Sequence, residues 1–213
     1  MSIGNVKAIV ATLVLASTAL AAEPLRTVHD AGRNHTWVLQ SDGVYLHGKR
    51  FELPGWIYVN GSYACAPDLA VDAQGRAVVS SNVVPVLWRI DPSKSQVTTH
   101  ELALDADADK DVGFSGLVYA PDQGVFFAVS GVYGSLWRID PLLRRAQKIS
   151  TSAPITQGCG LAIERTKTRR TLVLCPGRTA QRGRAVHLAP DQRSAYVLAR
   201  SCAGEATLQS RLP

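Results

Sequence analysis

Four cysteines, Cys65, Cys159, Cys175 and Cys202, are the side chains of this sequence best suited to covalent chemistry. No two are separated by only two residues, so the spacing fits no zinc knuckle. An even number behind a secretory start reads as two disulfides, and four cysteines allow three connectivities. Folding the segment from Leu161 to Cys175 as a hairpin brings Cys159 nearly opposite Cys175. By elimination Cys65 is then expected to pair with Cys202, as a clasp between an early element and the end of the chain.

The acidic run from Asp105 to Asp111 places carboxylates at alternate positions, as a calcium loop begins. Its sixth position is Lys110 instead of glycine and its twelfth is Gly116 instead of glutamate, so it reads as a solvated acidic loop. His100-Glu101 lacks the second histidine of a zinc-protease helix, and His29, His35, His47 and His187 show no ligand spacing. There is no Gly-x-Ser-x-Gly elbow, no Ser-x-x-Lys and no phosphate-cradling glycine loop. No metal or cofactor is expected.

Charge is distributed unevenly. Residues 22–137 carry 8 basic and 13 acidic side chains, net −5, whereas residues 138–213 carry 14 basic and 4 acidic, net +10. Arg144, Arg145, Arg165, Lys167, Arg169, Arg170, Arg178, Arg182 and Arg184 concentrate around one hairpin and the loop after it. Such a cluster suits an anionic envelope polymer or an acidic protein. Nucleic acid is not an expected partner for an exported chain.

Export is read from the start of the chain. Lys7 precedes the apolar run Ala8 to Leu20, and Ala19-Leu20-Ala21 fits small-x-small cleavage. The expectation is a signal peptide over 1–21, a single domain over 22–213, no transmembrane segment after cleavage, and a periplasmic or secreted protein. With 46% apolar and 19% charged residues, disordered, coiled-coil and collagen-like classes are excluded.

The elements that would position these groups repeat. Leu-Trp-Arg-Ile-Asp-Pro occurs from Leu87 to Pro92 and again from Leu136 to Pro141. Each copy follows a strand–turn–strand unit, one opening at Leu69 and the other at Leu117, with weaker copies near Trp37, Leu161 and His187. Alternation puts Trp88 and Ile90 on one face, and Asp91 before Pro92 suits an Asx turn; Trp137 and Asp140 repeat both features. Repeats of about 40–50 residues with four strands apiece mark β-propeller blades. The last units, opening at Leu161 and His187, stand only 26 residues apart, which predicts a compact or degenerate final blade.

Asp68, Asp72, Gly75 and Arg76, the stretch Gly116-Leu-Val-Tyr-Ala-Pro-Asp122, and the two tryptophan strands resemble the propeller group that includes NHL repeats, streptogramin lyases and gluconolactonase-type lactonases. The resemblance covers about residues 35–200 and implies an all-β, about four-bladed or partial propeller. It also implies that loops before the blade-opening strands meet the ligand, here near Asp68, Ser115 and Cys159. In the lactonases those loops hold a divalent metal with Asn and acidic side chains. This chain has Pro67, Ser115 and Cys159 where such ligands are expected, which argues against a lactonase. A binding or scaffold module meeting its ligand at Asp68, Ser115, Arg165, Arg169, Arg170, Arg182 and Arg184 is the favoured expectation. A lactonase- or lyase-like enzyme is the alternative.

Overall fold

A computed structural model describes residues 23–57, 65–106, 113–155, 159–164, 173–176, 184–189 and 193–201. The expected signal peptide lies outside them. The described residues form seventeen strands and no helix, so no helix among them is long and apolar enough to cross a membrane.

Short strands joined by tight turns build four antiparallel meanders. The first comprises β1 (Arg26–Asp30), β2 (His35–Gln40), β3 (Gly43–Leu46) and β4 (Lys49–Phe51). The second comprises β5 (Leu69–Val71), β6 (Ala77–Ser80), β7 (Val86–Asp91) and β8 (Gln96–Glu101). After the short β9 (Ala103–Leu104) comes the third: β10 (Gly116–Ala120), β11 (Val125–Ser130), β12 (Ser135–Ile139) and β13 (Arg145–Thr151). The fourth comprises β14 (Leu161–Glu164), β15 (Val173–Pro176), β16 (Arg184–Leu188) and β17 (Ser194–Ser201). The opening strands stand side by side, β1 against β5, β5 against β10 and β10 against β14. These are four blades about a common axis. Among the described residues β14 does not pack on β1 in the same way, so the blades form an arc.

Period-two alternation explains the stacking, because each middle blade sends alternate side chains to opposite neighbours. Leu69, Val71, Val79, Trp88 and Ile90 of blade 2 pack on Val28, Trp37, Leu39 and Phe51 of blade 1. Ala70, Val78 and Leu87, from its other face, meet Leu117, Phe126, Trp137 and Ile139 of blade 3. Val118, Phe127, Val129 and Leu136 of blade 3 meet Leu161, Val186 and Leu188 of blade 4. Trp88 and Trp137 therefore occupy equivalent places, each buried on the third strand of its blade against the preceding blade. Among the described residues no blade precedes blade 1, and on its β1–β2 pair the side chains away from the core, Thr27, His29 and Thr36, are exposed.

The two Asp-Pro turns form as the sequence implies. Asp91 Oδ1 accepts the Ser93 and Lys94 N–H groups, and hydrogen bonding from the Ser93 hydroxyl is the main cause holding its pKa below the usual carboxylate value. Asp140 accepts the N–H groups of Leu142, Arg144 and Arg145. That turn also holds the buried Leu143 in the left-handed region at φ 57°. Asp140→Ala removes three acceptor contacts at once and is expected to cost about 1–2 kcal/mol in urea unfolding. A loss below a few tenths would show that the turn forms without its aspartate.

Two readings of the repeat need correction. The segments opening at Leu161 and His187 are two hairpins of one blade, β14–β15 and β16–β17, instead of separate units. The copy near Trp37 is the second and third strands of blade 1, because β1 precedes it. A shared hairpin signature identifies a pair of strands but does not say which pair of the meander it is.

The expected disulfides are also overturned. The bond joins Cys65 to Cys159, with a Cα–Cα distance of 5.0 Å and a sequence separation of 94. In the β14–β15 hairpin it is Ala162 that opposes Cys175. Cys159 lies ahead of the strand, in the connection that enters blade 4, so cross-strand pairing with Cys175 is lost. Cys202 lies outside the described residues.

Candidate functional site at the loop end of the arc

The connections entering β5, β10 and β14 meet those between the second and third strands of blades 2 and 3 at one end of the arc. Phe114 N–H donates to Ser81 O (2.6 Å), Asn82 Nδ2 to Cys65 O (3.0 Å), and Ile155 N–H to Gly134 O (2.8 Å). Gly160 N–H donates to Ser115 O at 2.7 Å. At Gly116 the backbones of blades 3 and 4 approach so closely that an added Cβ would stand 2.8 Å from Gly160 backbone atoms, which only glycine accommodates.

Asp68 is fully buried at this end. Its Oδ1 accepts the Leu69 N–H (2.9 Å) and faces Arg26 Nε at 3.1 Å as an ion pair. Its Oδ2 accepts the Leu117 N–H of blade 3 at 2.9 Å. The Asp68 N–H donates to Ser80 Oγ (2.9 Å), whose hydroxyl donates to Phe114 O (2.7 Å). One carboxylate thus joins blades 1, 2 and 3. Ser115, also buried, accepts the Gly131 N–H on Oγ at 2.8 Å. Cys159 is oxidised onto Cys65. Two of these three groups are turned inward on the scaffold and the third is a disulfide sulfur, so the set does not fit a hard cation, which needs free oxygen ligands.

Of the other sequence candidates, Arg184 opens β16 and its side chain lies outside the described set, as do Arg165, Arg169, Arg170 and Arg182. Asp105 accepts the Lys148 N–H on Oδ1 at 2.8 Å, which ties the start of the acidic run to β13. Asp107, Asp109 and Asp111 lie outside the described residues. His100 sits in β8 with Nε2 3.1 Å from Thr98 Oγ1, and burial, then the nearby Arg89, lowers its pKa. Arg89 itself is lowered, first by burial and then by Arg76 beside it.

Sequence reasoning missed the surface the loops present. Val84 in the β6–β7 connection is 41% exposed, and Val132 and Tyr133 in the β11–β12 connection are 56% and 51% exposed. Both connections belong to the loop end described above. The signal was available in Gly131-Val-Tyr-Gly134, an apolar pair between turn-forming glycines. The basic cluster read from the sequence begins on the described surface, with Lys148 and Arg193 added to it. Arg144, Arg145 and Lys148 are exposed on and beside β13, and Arg193 is exposed just before β17, its carbonyl accepting the Ser150 N–H at 3.1 Å.

No protein-family profile and no curated protein sequence matches the chain. Solved structures do. Hydrazine synthase from Kuenenia stuttgartiensis superposes with a TM-score of 0.56 at 13% identity, over 81% of this chain and 47% of that one. Virginiamycin B lyase from Staphylococcus aureus gives 0.54 at 11%, over 82% and 55%. Both are β-propeller proteins. This chain is a partial β-propeller. An auxiliary nutrient binding protein from Bacteroides thetaiotaomicron also matches the propeller, with a TM-score of 0.51 at 11% identity over 85% and 43%. The matched folds thus include enzymes and a binding protein. The propeller described here spans about half the length of these structures or less.

Proposed function

We propose that this partial propeller is an exported binding module for an anionic envelope polymer, contacted by the basic rim of blades 3 and 4. The observation that carries the reading is the row of exposed cations along the outer margin, Arg144, Arg145 and Lys148 on and beside β13 and Arg193 just before its partner strand β17. The net +10 of residues 138–213 supports it, since a single-signed surface raises the local concentration of polyanions. The Cys65–Cys159 bond supports an oxidising compartment. An enzyme of the lyase or lactonase kind would draw on acid–base groups at the loop end. Asp68 and Ser115 there are engaged with backbone N–H groups, which favours the binding reading.

Immobilised heparin serves as a model polyanion for the test. The wild-type chain is expected to be retained and to lose affinity steeply as salt rises. Arg144→Glu with Arg145→Glu and Arg193→Glu is expected to weaken binding about tenfold or more at low salt. Retention that is insensitive to salt, or unchanged by the triple reversal, would sink the proposal.

A further inference from the structure

The seam between blades 2 and 3 holds a histidine in its outer part. His100 stands opposite Leu87, and Thr98 opposite Arg89, on the paired strands β7 and β8. Cross-strand partners share a face of the sheet. Leu87 packs in the core between blades 2 and 3, so all four side chains are turned toward blade 3. Arg89 Nη2 accordingly donates to Pro141 O, in the Asp-Pro turn of blade 3, at 2.5 Å. The chain leaving β8 then crosses to the same turn. The Ala103 N–H donates to Arg144 O at 2.9 Å and the Asp105 N–H to Ala146 O at 3.1 Å, as β9 pairs in parallel with β13. His100 is half-buried where this crossing begins, with Nε2 3.1 Å from Thr98 Oγ1.

We propose that this seam is an acid-released latch, closed while the His100 imidazole is neutral and loosened when it takes up a proton. The charged groups facing His100 are Arg89 from β7 and, from the turn of blade 3, Asp140 and Arg144. On its own strand Glu101 follows it and is exposed. Partial burial disfavours the charged imidazole, and two guanidiniums stand against one carboxylate. That carboxylate already accepts the Leu142, Arg144 and Arg145 N–H groups. Burial first, and then Arg89, thus hold the pKa of His100 below its ordinary value. As pH falls, the unfolded or opened chain takes the proton before the closed one does. The latch is fully stable above the ordinary histidine value of about 6.5 and weakens as pH drops through it toward the folded-state value. Arg89 and Arg144 also make the contacts that join the blades, so the repulsion acts on the latch itself. It is independent of the polyanion reading.

The experiment is amide hydrogen exchange by NMR on the wild-type chain and His100→Gln, about one pH unit above and about one below the ordinary histidine value. Protection relative to the unstructured chain is read at the Ala103 and Asp105 amides, with the amides of β2 as the internal control. In wild type it is expected to fall severalfold at Ala103 and Asp105 on acidification while β2 holds. Glutamine keeps a polar group beside Thr98 and takes no proton, so in His100→Gln the fall is expected to vanish. The imidazole ring protons of His100, followed in wild type and so free of any folding defect in the variant, are expected to titrate below about 6.5. An equal fall in wild type and His100→Gln, no fall in wild type, or a His100 midpoint at or above about 6.5 would each overturn the latch.

Discussion

Asp68→Ala is expected to lower the unfolding free energy by about 3–5 kcal/mol, the range for removing one partner of a buried charged pair. The carboxylate is fully buried, and its removal leaves the Leu117 N–H without its acceptor and the Arg26 guanidinium without its counter-ion. Arg26 keeps 19% of its side chain exposed, so water recovers part of its loss and the lower half of the range applies to that contact. The N–H of Leu117 has no such outlet. Because the contacts span three blades, the loss should appear as one cooperative shift of the urea midpoint, with no separate transition for blade 1. Arg26→Met alone should cost less than Asp68→Ala, and the double variant less than the sum. A cost below about 1 kcal/mol for Asp68→Ala would mean that the backbone packing holds the blades without it.

The second large effect belongs to Cys65–Cys159. Closing a loop of 94 residues restricts the unfolded chain, and on the chain-entropy account a loop near that size contributes about 4–5 kcal/mol at 25 °C. Cys65→Ser with Cys159→Ser, or wild type in reductant, should therefore unfold at a distinctly lower urea concentration than the oxidised chain. The bond links the connection into blade 2 with that into blade 4 across the one serving blade 3. Its loss is expected to expose backbone amides of all three connections to hydrogen exchange before those of the strands. Equal midpoints with and without reductant would show that the arc does not depend on the crosslink.

Much of the architecture was legible because the chain repeats its instructions. The paired tryptophan strands and their Asp-Pro turns specify period-two faces and strand ends locally, and Trp88, Trp137, Asp91 and Asp140 sit as that pattern requires. What depended on distant contacts was not legible. Cys159 faces Cys65 because the blades curl about an axis, which no hairpin register encodes. Asp68 reads in sequence as a loop carboxylate ready for a ligand, but the adjoining blade supplies the Leu117 N–H that draws it inward. His35 and His47 meet only through a left-handed turn at a residue that seldom adopts one.

The outer margin of blade 3 has a consequence for how this protein meets its own copies. The first residues of β13 bond in parallel with β9, and its last with β17. Both halves of that margin are thus occupied by the chain itself. On blade 1 the outermost strand is only three residues long and begins Lys49-Arg50, a poor template for a foreign strand. Blade 2 ends instead in the six residues of β8, bonded on one side to β7. Among the described residues β8 thus offers Gln96–Glu101 to intermolecular strand addition, the first step toward fibrous self-association, and there a single inward-pointing lysine or a proline would block it.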